Sequence, residues 1–220
     1  MTTDEMIQAF LELGSPFIAD GAQKAGLPER IADRALRPLS PDRRIAGTVV
    51  TFRIRFYPSP QESVAYSYDR AFTYAGTVSS PVLVAESGLG TRTPFGGGAS
   101  RTFLHAGLSG SIIDGTIRDL ADVRAQGFQM FSRGFSTDSF VMDRLPQGYV
   151  GADTGSPITV GGVTVLQGDL VVADEDGIVF CRPEDAPAAI AAAREILADE
   201  EAIFKRWDAG DSYLKGLGLE

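Results

Sequence analysis

The sequence predicts a single α/β domain built on a mixed sheet with a β-hairpin element, and three observations carry that prediction. Between Pro81 and Phe131, short apolar runs alternate with glycine-rich loops and helical segments at the spacing of βαβ crossovers. Further on, Asp169-Leu170-Val171-Val172-Ala173 and Gly177-Ile178-Val179-Phe180 flank the acidic Asp174-Glu175-Asp176-Gly177. An Asp-Gly pair between apolar runs is a strong hairpin signal, because both residues tolerate the positive φ that the tight turn needs. Finally, Pro183-Glu184-Asp185 opens a long helical pattern that reaches about Asp208, with proline at the first position and acids in the first turn.

Taken in order, Thr3 reads as the N-cap of a first helix carrying Met6, Phe10 and Leu13 on one face, and Gly14 and Pro16 end it. Residues 17–26 read as a second helix, and residues 36–44 as a proline-punctuated connection. The β-branched Thr48-Val49-Val50-Thr51-Phe52-Arg53-Ile54 reads as a strand, and residues 57–77 as loop with an optional helix. Pro81-Val82-Leu83-Val84-Ala85 is a fully apolar strand, followed by a glycine-rich loop over 88–98 and a helix over about 99–106 that Gly107 closes. Ser111-Ile112-Ile113-Asp114 is the next strand, Gly115-Thr116-Ile117 a turn, residues 118–126 a helix, and Phe128-Gln129-Met130-Phe131 another strand. Pro157-Ile158-Thr159-Val160 and Val163-Thr164-Val165 are strands split by Gly161-Gly162.

Composition excludes several classes of protein. The 220 residues are 44% hydrophobic and 22% charged, enough for one large core or two small ones. Twenty basic against 29 acidic residues give a net charge of −9, the wrong sign for nucleic-acid binding, where phosphate neutralisation supplies most of the affinity. The lone cysteine, Cys181, has no partner for an intramolecular disulfide and sits in a strand-like run as a small core residue. No run approaches the ~20 apolar residues that span a bilayer, so no membrane partner is expected. The first residues lack the basic start and apolar stretch of a secretory signal, which makes a cytoplasmic location the expectation.

Two segments could carry chemistry: Gly96-Gly97-Gly98-Ala99, and Asp114-Gly115-Thr116-Ile117-Arg118-Asp119. Each follows a strand and leads into a helix, which is where α/β sheets bind ligands. Backbone N–H groups at a helix N-terminus attract anions, and glycine permits close approach. Arg118 offers a guanidinium for a substrate carboxylate or enolate oxygen, and its charge favours an ionised Asp119. One ionised carboxylate plus waters suits Mg²⁺, which keeps much of its hydration shell. The plainer reading, from these residues alone, is a tight turn followed by a cap with solvated charges.

The run from Gly96 through Gly107-Leu108-Ser109-Gly110-Ser111-Ile112-Ile113-Asp114-Gly115-Thr116-Ile117-Arg118-Asp119 resembles the core motif of the RraA-like family. That family holds the 4-hydroxy-4-methyl-2-oxoglutarate and 4-carboxy-4-hydroxy-2-oxoadipate aldolases, and the regulators of ribonuclease E activity. Gly47-Thr48-Val49-Val50-Thr51, the segment 157–165 and Gly168-Asp169 leading to Asp174-Glu175-Asp176-Gly177 extend the resemblance over roughly residues 15–210. It implies an αββα sandwich of the swivelling β/β/α type, one domain over 1–220, assembled as a homotrimer or homohexamer with the site between subunits. It further implies a divalent cation, Mg²⁺ or Mn²⁺, on Asp119, Arg118 on the pyruvoyl group, and the amides of Gly96, Gly97, Gly98 and Ala99 on the carboxylate. The implied chemistry is retro-aldol cleavage of a small 2-oxo acid, a 4-hydroxy-2-oxo acid, to pyruvate, with oxaloacetate decarboxylation through the same enolate. The aldolases carry an aspartate 21 residues before the arginine, where this chain has Gly97.

A second acid is expected from the C-terminal helix, about 183–208, of a neighbouring subunit. Ile190, Ala193, Ile196, Leu197, Phe204 and Trp207 form one apolar stripe with Glu200 near its middle, and a carboxylate there is costly without a partner. His105 is a candidate base or a plain helix-surface residue, and Arg92 and Arg101 are candidates for a second substrate carboxylate or solvated cations. Asp174 and Asp176 lack the closing bidentate Glu of a calcium loop and read as turn residues. The three lysines, Lys24, Lys205 and Lys215, lie far in sequence from both central segments, which disfavours a Schiff-base route. Two alternatives to a metal-dependent lyase stay open: a non-catalytic regulator that binds a ribonuclease or another protein, and a family member acting on a different oxo acid or lactone.

Overall fold

The computed structural model describes residues 1–139 and 144–220. The chain runs α1 (Thr3–Lys24), β1 (Arg37–Pro38), β2 (Ile45–Tyr57), α2 (Val64–Ala75), β3 (Val82–Gly88), α3 (Gly97–His105), β4 (Gly110–Ile117), α4 (Leu120–Ala125) and β5 (Met130–Phe135). It continues through β6 (Arg144–Leu145), β7 (Gly148–Thr154), β8 (Ile158–Val160), β9 (Val163–Val165), β10 (Leu170–Ala173), β11 (Ile178–Cys181), α5 (Ala186–Asp208) and α6 (Tyr213–Gly216).

The long strand β2 is the spine. One edge pairs in parallel with β3, from Val49↔Val82 to Arg55↔Gly88. The other edge is divided: Ile45–Thr48 pair antiparallel with β10, and Phe52–Tyr57 pair antiparallel with β7. Strands β3, β4 and β5 continue the parallel part, while β10 and β11 form the expected hairpin. The sheet is therefore mixed, as the sequence predicts.

The unbroken apolar run of β3 follows from burial on both faces. Leu83 and Ala85 join Val50, Phe52, Ile113 and Met130 beneath α2, α3 and α4. Val82 and Val84 join Val49, Ile112 and Phe131 against β8, β9 and the inner face of β10–β11. The outer face of β10–β11, through Leu170, Val172, Val179 and Cys181, is covered by α1 and α5. Helices, sheet, second β layer and helices thus stack in that order, and the three crossover helices share one outer layer.

Several boundaries differ from the sequence reading, each for a local reason. Thr2, not Thr3, caps α1: its hydroxyl accepts from the Glu5 amide at 3.3 Å, and Glu5 Oε2 accepts from the Thr2 amide at 2.7 Å. Gly14, at φ 80°, kinks α1 instead of ending it, and Pro16 falls in the turn after the kink, where it has no helical N–H to lose. Residues 115–117 extend β4 instead of forming a turn, because Thr116 and Ile117 pair with Gly134 and Phe135 across a register shift. Helix α4 starts at Leu120, since Asp119 sits in the left-handed region at φ 54° and cannot be its first turn. Helix α5 starts at Ala186, with Pro187 in its first turn and Glu184 and Asp185 ahead of it.

Two buried aspartates tie the second β layer to its surroundings. Asp169, 2% exposed, accepts from Arg30 Nη2 at 2.6 Å, Arg182 Nη1 at 2.7 Å and the Leu166 amide at 2.9 Å. Asp174 is more than a turn residue: it accepts from the Ser15 hydroxyl at 2.6 Å, the Ser15 amide at 2.9 Å and Arg44 Nε at 3.0 Å. Burial raises the Asp174 carboxyl, but the Ser15 bonds, Arg44 and the Gly177 amide outweigh it, and the net shift is downward. A depressed carboxyl contributes stability above its unfolded value and loses it as pH falls through the folded one. Asp169→Ala is expected to cost about 3–5 kcal/mol in urea denaturation, because it strands two partly buried arginines. Asp174→Asn should be less stable than the parent at neutral pH, with the difference closing as the same titration is repeated in increasingly strong acid.

Candidate functional site

The parallel strands β3 and β4 end side by side, and the chain segments that leave them meet again at Phe95 and Arg118. The segment after β3 is anchored by Thr93, whose hydroxyl bonds both the amide and the carbonyl of Phe95 at 3.1 Å. Phe95 is fully buried against Phe52 and Phe103, and its carbonyl accepts from the Arg118 amide at 3.0 Å. The glycine loop is thus fastened to the end of β4 before α3 begins.

Gly96 has an extended backbone, so its lack of a side chain answers to contact and not to conformation. A methyl group there would stand 2.6 Å from Asp119 Oδ2 and 2.8 Å from Arg118 Cγ. With no methyl group present, Asp119 Oδ2 accepts from the Gly97 amide at 3.1 Å, while Arg118 Nε lies 3.4 Å from the same oxygen. Both side chains stay partly open to solvent, at 41% for Arg118 and 37% for Asp119. The Gly97 carbonyl accepts from Ser100 Oγ and Gln126 Nε2, which binds α3 to α4. The first main-chain bond of α3 runs from Ser100 to Gly96, so the amides of Gly98 and Ala99 have no carbonyl one turn back. A side chain at Gly98 would meet open space. The result is an anion-attracting helix N-terminus beside a guanidinium and a carboxylate.

The structure brings Gly96, Gly97, Gly98, Ala99, Arg118 and Asp119 together, and it does not bring Glu200 to them within one chain. Helix α5 packs along α1, on elements other than those that carry Arg118 and Asp119. Arg92 donates to Asp138 Oδ1 and to the Ser139 carbonyl, both at 3.0 Å, and so is already engaged. Arg101 and His105 are exposed on α3.

Two features escape sequence reasoning. A side chain at Gly97 would begin 3.1 Å from Asp122 Cβ and 3.3 Å from Asp122 Oδ2. The space that a residue at 97 would enter is therefore flanked by the carboxylate of Asp122, which spacing alone could have flagged as one turn beyond Asp119. The second is a cleft of about 320 Å³ beside Arg118 and Asp119, walled by Ile117, Leu120, Phe135, Ser136 and Thr137. No local pattern marked Phe135, because its position follows from the β4–β5 register.

A divalent cation has to be weighed against these donors. Among the described residues, no group of three or more His, Cys, Asp and Glu side chains gathers into a cage. A cation that keeps most of its waters and takes one hard carboxylate oxygen fits the partly open Asp119, and this is how Mg²⁺ commonly binds. No helix among the described residues is long and apolar enough to cross a membrane.

Comparison with known proteins agrees with this architecture. A family model described as RraA-like, Aldolase/RraA, matches residues 15–180, and the chain belongs to that family. A protein of Albidiferax ferrireducens provisionally named 4-hydroxy-4-methyl-2-oxoglutarate aldolase is 28% identical over 153 residues, covering 68% of this chain and 85% of that one. Protein DlpA of Legionella pneumophila is 23% identical over 180 residues, 81% of this chain, but this chain spans only 28% of its length. Among solved structures, Streptomyces coelicolor RraAS2, described as an unusual member of the RNase ES inhibitor RraA protein family, superimposes with a TM-score of 0.74. It is 24% identical, and the match covers 92% of this chain and 96% of that one.

The glycines separate packing from conformation in a testable way. Gly96→Ala is expected to lower stability by about 1–3 kcal/mol, because the methyl group must displace Asp119 or Arg118. Gly98→Ala, with open space around it, should raise stability by up to about 1 kcal/mol through helix propensity. Paired urea titrations of the two variants check both signs.

Proposed function

We propose that the chain is a divalent-metal-dependent carbon–carbon lyase that releases pyruvate from a 4-hydroxy-2-oxo acid, with oxaloacetate decarboxylation as a side activity. The observation that carries this reading is the meeting of Arg118, Asp119 and the amide end of α3 at one point, held by the Gly97–Asp119 hydrogen bond. Membership of the family and the provisional aldolase name of a relative support it.

In this reading the amides of Gly98 and Ala99 take the substrate carboxylate, where the helix N-terminus favours negative charge. Asp119 is the residue that would hold Mg²⁺ or Mn²⁺, its carboxylate oriented by the Gly97 amide. When bound, the cation supplies Lewis acidity at the substrate's 2-oxo oxygen. Arg118 presents a guanidinium to the oxygen that gains charge as the C3–C4 bond breaks, so its hydrogen bond strengthens along the reaction. The C4 hydroxyl must lose a proton in the same step, and Asp122 is the carboxylate placed beside Gly97 to accept it through a water. Glu200 enters as the second acid only from a neighbouring subunit of a homotrimer or homohexamer. Phe204, 52% exposed on the outer part of α5, supports the view that a second chain covers this helix.

A second reading, a regulator that binds a ribonuclease, is favoured by Gly97, which leaves position 97 without the carboxylate that the aldolases carry. Pyruvate release from a panel of 4-hydroxy-2-oxo acids and oxaloacetate, with and without EDTA, separates the two. The lyase reading expects turnover that EDTA abolishes and Mg²⁺ or Mn²⁺ restores, and Asp119→Asn should remove it. Arg118→Lys should lower kcat by about 10²–10³, the cost of one lost oxyanion donor, since an ammonium does not reproduce the planar fork. No turnover on the whole panel would leave the binding reading in possession.

A further inference from the structure

We infer that the cleft beside Arg118 and Asp119 is an apolar subsite for the distal part of the oxo acid, with Phe135 as its specificity-determining wall. The inference rests on the oxo-acid reading of the site and commits it to a substrate class: 2-oxo acids with an alkyl or aryl group at C4, in preference to dicarboxylates.

Phe135 is the last residue of β5 and is 60% exposed, in a strand whose Met130 and Phe131 are fully buried. Its placement is fixed by backbone contacts on both sides. Phe135 is paired with Ile117, and the following amide, Ser136, donates to the Ile117 carbonyl at 3.0 Å. Gly134, at φ 154°, supplies the backbone conformation that precedes it. Arg118 and Asp119 follow Ile117 directly, so the ring flanks the same cleft as the two charged groups.

Charge then decides what the cleft accepts. Among the described residues that line it, Arg118 and Asp119 are the charged ones, and both belong to the reacting end of the substrate. The other walls are Ile117, Leu120 and Phe135, with the hydroxyls of Ser136 and Thr137. Of the two cations that the sequence offers for a second carboxylate, Arg92 is committed to Asp138 and Ser139, and neither it nor Arg101 lines the cleft. A distal carboxylate entering this space would lose water without gaining a cation, whereas an apolar group would bury its surface on an exposed aromatic ring.

Calorimetric titration of the full chain with Mn²⁺ present, using pyruvate, 2-oxo-4-phenylbutanoate and 2-oxoglutarate, tests this without turnover. The phenyl compound is expected to bind at least about tenfold more tightly than 2-oxoglutarate, the scale on which apolar pockets discriminate. Phe135→Ala should bring the two to near parity while leaving pyruvate binding and the mass of the protein in solution unchanged. Equal or tighter binding of 2-oxoglutarate by the parent, or an unchanged ratio in the variant, overturns the subsite while the oxo-acid site stands. A change of solution mass in Phe135→Ala also overturns it, by assigning the ring to a contact between subunits. Failure of pyruvate itself to bind defeats the oxo-acid reading, and the subsite with it.

Discussion

Asp119 Oδ2 reaches the amide of Gly97 across the gap between two crossovers, and that 3.1 Å contact exists because nothing projects from Gly96. The geometry around it is expensive in the ways that folds usually avoid. Asp119 holds a left-handed backbone conformation that few residues other than glycine adopt. Its carboxylate also sits ahead of α4 without capping that helix. The stability of the layers beneath it must offset these costs, and the buried Phe95, Phe103 and Phe52 directly below supply a packed floor.

Much of this was legible in the sequence because it depends on local order. The alternation of apolar runs and glycine loops placed the crossovers, and Asp176-Gly177 placed the hairpin between β10 and β11. The glycine loop and the Arg118-Asp119 pair were visible as the segments that follow two strands. What escaped depends on contacts between distant segments. Asp174 reads as a turn residue in sequence because its bonds to Ser15 and Arg44 cross more than a hundred positions of chain. Phe135 escaped because the register shift between β4 and β5 has no local mark. The strand resumes beyond Gly115, a residue that reads as a turn, because Thr116 and Ile117 find partners in Gly134 and Phe135.

A row of charge crosses the parallel strands and explains how the second β layer is seated. Arg53 on β2 and Glu86 on β3 are register partners, as are Glu86 and Asp114 on β4, and Arg133 on β5 bonds Asp114. The two central acids are not wasted on each other: Glu86 accepts from the Thr159 amide at 2.8 Å and Asp114 from the Gly161 amide at 2.7 Å. Backbone groups of the β8–β9 hairpin that would otherwise be desolvated are satisfied by the sheet on which they rest.

The divided edge of β2 has a consequence for how its register is set. Its first residues belong to the ladder with β10, and its last to the ladder with β7, while its other edge carries β3 throughout. Because successive side chains face opposite ways, slipping this strand by one position would invert the facing of both halves together. Both halves of β2 are therefore held to one register, because a slip that suited β10 would misplace the side chains that line up with β7.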